Sequence, residues 1–224
     1  MPLVLSEAIE SDAGYTADIH LAAFASNPMF RAQFPTPAVR AGLRSSLVEK
    51  TLADLSDPKC VILVVRDGDE IISFAKWTRP IPESETYLES PWRWPEGTML
   101  SVLNEWNART EYAVQQALMR IPCYRLSFIA TSPQHEHRGA ATMLIRWALE
   151  RSRSEVVPIA LEGTSNAVPL YEKLGFEPVG KISMVLEVTD DGDSELYEET
   201  CFVFQPEDAF STILSRSLGP RTST

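Results

Sequence analysis

Residues 60–78 read CVILVVRDGDEIISFAKWT, two β-rich apolar runs that meet at Asp67-Gly68-Asp69. An Asp-Gly step between such runs predicts a β-hairpin, because glycine supplies the positive φ that the turn requires. The rest of the sheet has to be built around this pair. Upstream, LVLSEAI (3–9) reads as a strand, and Ser11 and Asp12 offer an N-cap for a helix to about Phe24. NPMFRAQFPTP (27–37) reads as a proline-punctuated loop. Residues 38–55 then carry Val39, Leu43, Leu47, Val48, Leu52 and Leu55 at the spacing of an amphipathic helix.

Downstream of the hairpin, residues 79–97 break pattern with four prolines, and a helix is predicted from about Thr98 to Met119. Together 79–122 read as an insertion between two strands. CYRLSFIAT (123–131) is the next strand, and AATMLIRWALERS (140–152) is a helix with Met143, Leu144, Trp147 and Ala148 on one face. VPIALEG (157–163) reads as a short buried strand, and AVPLYEKLGF (167–176) as a short helix closed by Gly175. Two long strands, 178–188 and 194–205, flank an acidic turn. The order β-α-α-β-β-(insert)-β-α-β-α-β-β implies an α/β fold with a mixed sheet. One domain, 1–205, is expected, with a C-terminal tail at 206–224.

Hydrophobic residues at 44% and charged ones at 23% exclude the disordered and membrane classes. No apolar run approaches the roughly 18–20 residues of a spanning helix. The stretch MPLVLSEAIE has no basic region or long apolar core, so a cytoplasmic protein is expected. Three cysteines with no CxxC spacing read as reduced thiols. The net charge is −11, and residues 187–199 hold seven carboxylates and no basic residue. That field disfavours nucleic acid and anionic lipid and attracts a cationic substrate such as an amine. The plainer reading of the same run is a solvated acidic hairpin.

Two of three histidines lie in TSPQHEHRGAATMLIRWALE (131–150). His135 and His137 around Glu136 supply too few ligands for a metal, His20 is distant in sequence, and neither HExxH nor GxSxG is present. The context fits an anion site better. A strand leads into a loop with Gly139, Ala140 and Ala141, and a helix follows, so unpaired N–H groups and the positive helix end converge. Thr142 adds a hydroxyl.

The stretch FIATSPQHEHRGAATMLIRWALE, followed by PIALEGTSNAVPLYEKLGFEPVG, resembles the two signature segments of the GNAT acetyltransferase superfamily. More narrowly, it resembles fungal members whose second signature reads like LE…VPLYEKLGF. The resemblance implies a mixed, mostly antiparallel central sheet flanked by helices, with an inserted helical lid between the third and fourth strands. It also implies acetyl-CoA as cosubstrate and no metal. By position, the backbone amides of His137, Arg138, Gly139, Ala140 and Ala141, with Thr142, are expected to cradle the diphosphate. Ile129, Ala130 and Thr131 would run beside the pantetheine arm, Thr164 near it, and Lys173 against phosphate charge. Tyr171 matches the tyrosine that protonates the departing thiolate, a task suited to a neutral phenol with a pKa of about 10. The plainer readings are a core tyrosine for Tyr171, a helix cap for Thr142 and a solvated lysine for Lys173.

The loop departs from the family pattern at Glu136, where a neutral or cationic side chain is usual. A carboxylate facing a diphosphate costs on the order of 1 kcal/mol or more unless it turns out or pairs with Arg138. The strand YRLSFIAT holds no acid or imidazole to deprotonate an amine, so Glu162 is the expected base, with Glu105 of the insertion next. Trp92, Trp94 and Trp106, with Tyr87 and Tyr112, read either as walls of the acceptor pocket or as core for the inserted helix. The function expected is direct transfer of acetyl to the amine of a small molecule by a monomer or homodimer. The alternative is a protein of this fold without acetyl transfer that binds or transforms a metabolite, for instance by decarboxylation or rearrangement.

Overall fold

The hairpin forms where the sequence places it, in a computed structural model that describes residues 2–119, 121–187 and 194–207. Strands β2 (Cys60–Asp67) and β3 (Glu70–Thr78) pair antiparallel across a two-residue turn in which Gly68 has φ 63°. On one side β1 (Leu3–Glu7) joins β2; on the other, β4 (Tyr124–Thr131) joins β3, both antiparallel. Then come β5 (Ile159–Thr164), β7 (Ser194–Phe204) and, at the edge, β6 (Glu177–Glu187), giving the order β1-β2-β3-β4-β5-β7-β6. The β4–β5 pair is parallel and the others are antiparallel, so the sheet is mixed and mostly antiparallel.

Strand β2 is apolar in an unbroken run because both faces of the sheet are covered there. Val61, Leu63 and Val65 pack with Leu144 and Ile145 of α5 (Ala140–Glu155). Ile62 and Val64 face the other way, towards Ile19 of α1 (Ala13–Phe24). Leu144 and Ile145 are fully buried, and each contributes on the order of 2–3 kcal/mol by leaving water.

Three expectations need correction. Residues 27–37 are not all loop: α2 (Pro28–Gln33) forms behind Asn27, whose Oδ1 accepts the Phe30 N–H at 3.0 Å. Pro28 sits at the first helical position, where a missing N–H costs nothing. The same device opens α3 (Pro37–Leu55), with Thr36 Oγ1 accepting the Val39 N–H at 3.2 Å. Asp12 does not cap α1; it accepts the Ile9 N–H and pairs with Arg66 at 2.7 Å. The inward face of α3 also differs from its apolar pattern, since Leu52 is exposed while Lys50 and Asp54 are buried.

Those buried charges tie down the inserted segment. Residues 79–99 have no regular structure; α4 (Leu100–Leu118) follows and packs against β6 and β7 through Trp106, Ile182, Met184 and Tyr197. Lys50 and Lys76 each reach both Asp54, at 2.5 and 2.6 Å, and Glu89 of the insertion, at 2.9 and 2.8 Å. Signs alternate around the quartet, so each buried lysine has two carboxylate partners. Short α6 (Val168–Lys173) ends at Gly175 with φ 89°, as the sequence predicts. Most of the acidic turn (188–193) and the tail beyond 207 lie outside the described residues. Among the described residues no helix is long and apolar enough to cross a membrane.

Candidate functional site

Strands β4 and β5 are joined by only two residue pairs, Tyr124 with Ile159 and Arg125 with Ala160. The β3–β4 register slips between Trp77–Leu126 and Lys76–Phe128, which leaves Ser127 as an extra residue. Such a bulge bends its strand and increases its twist, here just where β4 leaves β5. Beyond Arg125, the β5-facing edge of β4 has no ladder partner among the described residues. A cavity of about 880 Å³ fills the splay, lined by Phe128 and Ile129 from one strand and Glu162 and Thr164 from the other.

Tyr171 of α6 reaches this cavity although its ring is 1% exposed. The ring lies against Gly163: a Cβ there would stand 2.6 Å from Tyr171 Cε2. Phe176 and Phe202 hold it from other sides, with ring centres at 5.8 and 5.5 Å. Burial, then the negative charges of Glu199 and Glu162, push the phenol above its ordinary value, so it stays protonated. Its hydroxyl has no hydrogen-bond partner among the described residues. The core reading of Tyr171 and the cavity reading thus describe one side chain.

Four carboxylates line the cavity, Glu89, Glu111, Glu162 and Glu199, and the last two stand close to Tyr171. Glu162 Oε2 pairs with Arg125 Nη2 at 2.6 Å; burial raises its pKa and Arg125 opposes the rise. Glu199, opposite Thr164 on β7, is the residue that sequence reading missed. The Tyr197 hydroxyl donates to Glu199 Oε1 at 2.5 Å, and Asn27 Nδ2 donates to that hydroxyl at 3.0 Å. Burial lifts the Glu199 carboxyl to about 7; the Tyr197 hydrogen bond opposes this and Glu162 reinforces it. Within the acidic run its neighbours Glu195 and Glu198 are exposed. The available signal was the period-two spacing that puts Tyr197, Glu199 and Cys201 on one face of the strand.

All three expected tryptophans line the cavity and also pack in the core. Trp92 and Trp94 stack at 4.4 Å with planes 5° apart, and Trp92 meets Phe128 edge-on at 6.2 Å. Lys50 and Lys76 lie 5.6 and 5.9 Å from the Trp92 ring centre. Trp106 packs edge-on against Tyr197 at 5.2 Å. Tyr87 reaches the cavity while donating to Asp57 at 2.7 Å, whereas Tyr112 is exposed on α4. Glu105 is also exposed on α4 and pairs with Arg109 at 2.6 Å.

At the far end of β4 the loop enters α5 through two left-handed residues, His137 at φ 59° and Gly139 at φ 88°. The first-turn amides of Ala140, Ala141 and Thr142 have no helical acceptor. A Cβ on Gly139 would meet nothing within 4 Å, so the space beside this glycine is open. Open space, unpaired donors and the positive helix end fit a diphosphate, and the free edge of β4 fits an extended arm. Arg138 does not pair with Glu136; it binds Asp67 at 2.7 Å and His135 Nδ1 at 3.0 Å, tying the loop to the hairpin. Glu136 is turned out and exposed, 4.0 Å from the fully exposed His137 ring. Ala130 and Thr131 are tied to β3, where the Ser73 hydroxyl donates to the Ala130 carbonyl and lies 2.8 Å from the Thr131 hydroxyl. Lys173 is exposed on α6. The cavity therefore gathers Ile129, Glu162, Thr164, Tyr171 and the three tryptophans, while His137–Thr142 form a separate cluster at the end of the same strand. His20 is enclosed by Phe24, Phe30, Phe74 and Phe128, and burial lowers its pKa to about 4.

The family model described as Acetyltransferase (GNAT) family matches residues 25–176. Among solved structures, one described as histone acetyltransferase HPA2 and related acetyltransferase, from Corynebacterium glutamicum, is 25% identical. It covers 92% of this chain and 97% of its own, with a TM-score of 0.61. The C-terminal condensation domain of Ebony, in complex with β-alanyl-dopamine, has a TM-score of 0.64 at 12% identity, covering 92% and 99% of the two chains. The structure of yncA from Salmonella typhimurium with its cofactor acetyl-CoA has a TM-score of 0.53 at 13% identity, covering 92% and 95%. The last two show likeness of fold alone. No curated protein matches the sequence.

Proposed function

Since the chain belongs to the acetyltransferase (GNAT) family, we propose that it moves an acetyl group from acetyl-CoA to the amine of a small molecule by direct attack. The observation that carries this reading is the cavity in the β4–β5 splay, with the protonated Tyr171 phenol and carboxylates of Glu162 and Glu199 on one lining. Direct transfer needs one group to give a proton to the leaving sulfur and another to take protons from the attacking nitrogen. When bound, the coenzyme supplies an activated acyl thioester. The amides of residues 137–141 and the Thr142 hydroxyl hold its diphosphate, and the free edge of β4 at 129–131 aligns its arm. Thr164 flanks that arm from β5. Lys173, on the solvent side of α6, adds a positive charge to the field around the phosphates.

Tyr171 is the acid. Its ring is fixed by Gly163, Phe176 and Phe202, and its hydroxyl is uncommitted, so its proton is held ready at one place. Trp92, Trp94 and Trp106 give the acceptor an aromatic enclosure that excludes water. The combination of aromatic walls and carboxylates favours an amine with an apolar body.

Thermal unfolding with and without ligand tests the reading. Saturating acetyl-CoA at about a hundred times its Kd stabilises the native state by about 2.7 kcal/mol, and plain coenzyme A acts in the same direction. Release of free thiol on adding primary amines follows the chemistry. Tyr171→Phe is expected to slow that release about a hundredfold while leaving the thermal shift in place. A protein that neither coenzyme stabilises refutes the reading.

A further inference from the structure

Resting on the transfer reading, we infer that Glu199, oriented by Tyr197, takes the proton from the incoming ammonium group, while Glu162 is kept by Arg125 as a fixed counter-charge. The difference between the two carboxylates lies in their partners. Glu162 is bound to a guanidinium at 2.6 Å, which spends its basicity on a permanent positive neighbour. Glu199 has no cationic partner in direct contact among the described residues; its recorded contact is the neutral Tyr197 hydroxyl. That hydrogen bond occupies Oε1, held in turn by Asn27, the cap residue of α2. Oε2 is left for a ligand.

Groups from several elements surround Glu199. From β7 itself come Tyr197 and Cys201, from β5 Glu162, from β4 Arg125 and from α6 Tyr171. From α4, Glu111 lines the same cavity, and β6 presents only Ile182 across the ladder. Of the charged groups lining the cavity, the four carboxylates of Glu89, Glu111, Glu162 and Glu199 outnumber the guanidiniums of Arg79 and Arg125, which draws in an ammonium ion and disfavours an acidic acceptor. With its pKa at about 7, Glu199 is ionised often enough at neutral pH to accept a proton and releases it readily to solvent.

The proton count balances. The ammonium nitrogen gives one proton to Glu199, and the freed lone pair forms the C–N bond as the C–S bond breaks. The departing thiolate takes the Tyr171 proton. The second nitrogen proton, released as the amide forms, restores the phenol, and Glu199 returns its proton to bulk solvent once the product has left.

The test compares wild type, Glu199→Gln, Glu162→Gln and Tyr197→Phe in thiol release with a panel of primary alkyl and arylalkyl amines between pH 6 and 9. Acetyl-CoA affinity is measured alongside. Glu199→Gln is expected to lower kcat/KM about a hundredfold or more and to remove the acid limb near pH 7, with acetyl-CoA affinity within about twofold of wild type. Tyr197→Phe moves that limb upward, because the lost hydrogen bond favoured the ionised carboxylate. Glu162→Gln keeps the limb but moves it downward, because the Glu162 charge helps to raise Glu199. A readout that needs no coenzyme accompanies these: the infrared carboxyl band of wild type minus Glu199→Gln titrates close to neutrality. A Glu199 carboxylate ionised down to pH 5, or a Glu199→Gln enzyme with the wild-type rate and pH profile, overturns the inference and leaves the transfer reading intact. Absence of acetyl-CoA binding, or binding with no amine of the panel acetylated, overturns both.

Discussion

Replacing Glu199 by glutamine should make the protein more stable, and by an amount that depends on pH. A carboxyl with an ordinary value of 4.5, held at about 7 in the fold, binds its proton more tightly in the native than in the unfolded chain. Its contribution to stability is complete below pH 4.5 and is lost as the pH rises through about 7. Between those limits wild type loses about 3 kcal/mol that glutamine, which does not titrate, retains. The amide keeps a carbonyl oxygen for the Tyr197 hydroxyl, so the network needs no rebuilding. Glu162 titrates in both proteins and largely cancels in the difference. About 2.5 kcal/mol of that loss falls between pH 5 and pH 8. For a domain of this size each kcal/mol moves Tm by about 2–4 °C, so the gap between variant and wild type should widen by roughly 5–10 °C across this range. Differential scanning calorimetry in matched buffers measures it. Two Tm curves that run parallel across this range would show that Glu199 is ionised at the same pH folded and unfolded, and the reasoning from its burial would fail.

Two further substitutions probe the site and its support. Gly163→Ala puts a Cβ 2.6 Å from Tyr171 Cε2, and a ring already wedged by Phe176 and Phe202 has little room to retreat. We expect a loss of about 1–3 kcal/mol in urea unfolding and slower acetyl transfer with coenzyme binding retained; unchanged stability would refute the close packing. Asp54→Asn leaves the buried Lys50 and Lys76 to share Glu89 alone, which is half exposed. A loss of about 3–5 kcal/mol is expected from the urea midpoint, and a loss below about 1 kcal/mol would show that the lysines find water instead.

What the sequence made legible was local. Gly68, Gly139 and Gly175 each answer a backbone demand of their immediate neighbours, so the hairpin, the loop into α5 and the end of α6 could be read in place. Local chemistry also misleads, because Pro28 and Pro37 read as breakers in the sequence, yet each stands at a first helical position behind a capping side chain. The remaining gaps are matters of register. Whether Glu199 is solvated or buried depends on its pairing with Thr164, and nothing in a run of seven acids distinguishes it by composition. Lys50 and Asp54 likewise read as the polar side of α3 until Lys76 and Glu89 arrive from elsewhere in the chain. Trp92, Trp94 and Trp106 resisted a choice between core and pocket because the cavity wall is the core surface.

The two-pair seam between β4 and β5 has a mechanical consequence. Along the seam stitched by Tyr124–Ile159 and Arg125–Ala160 the sheet divides into two plates, one carrying β1 to β4 and the other β5 to β7, held together below by a core that α5 shares with both. An extended molecule lying along the open edge of β4 and touching β5 would serve as a missing strand, stapling the plates together. Amides on that edge should then lose their exchange with solvent, a protection the ligand-free protein lacks.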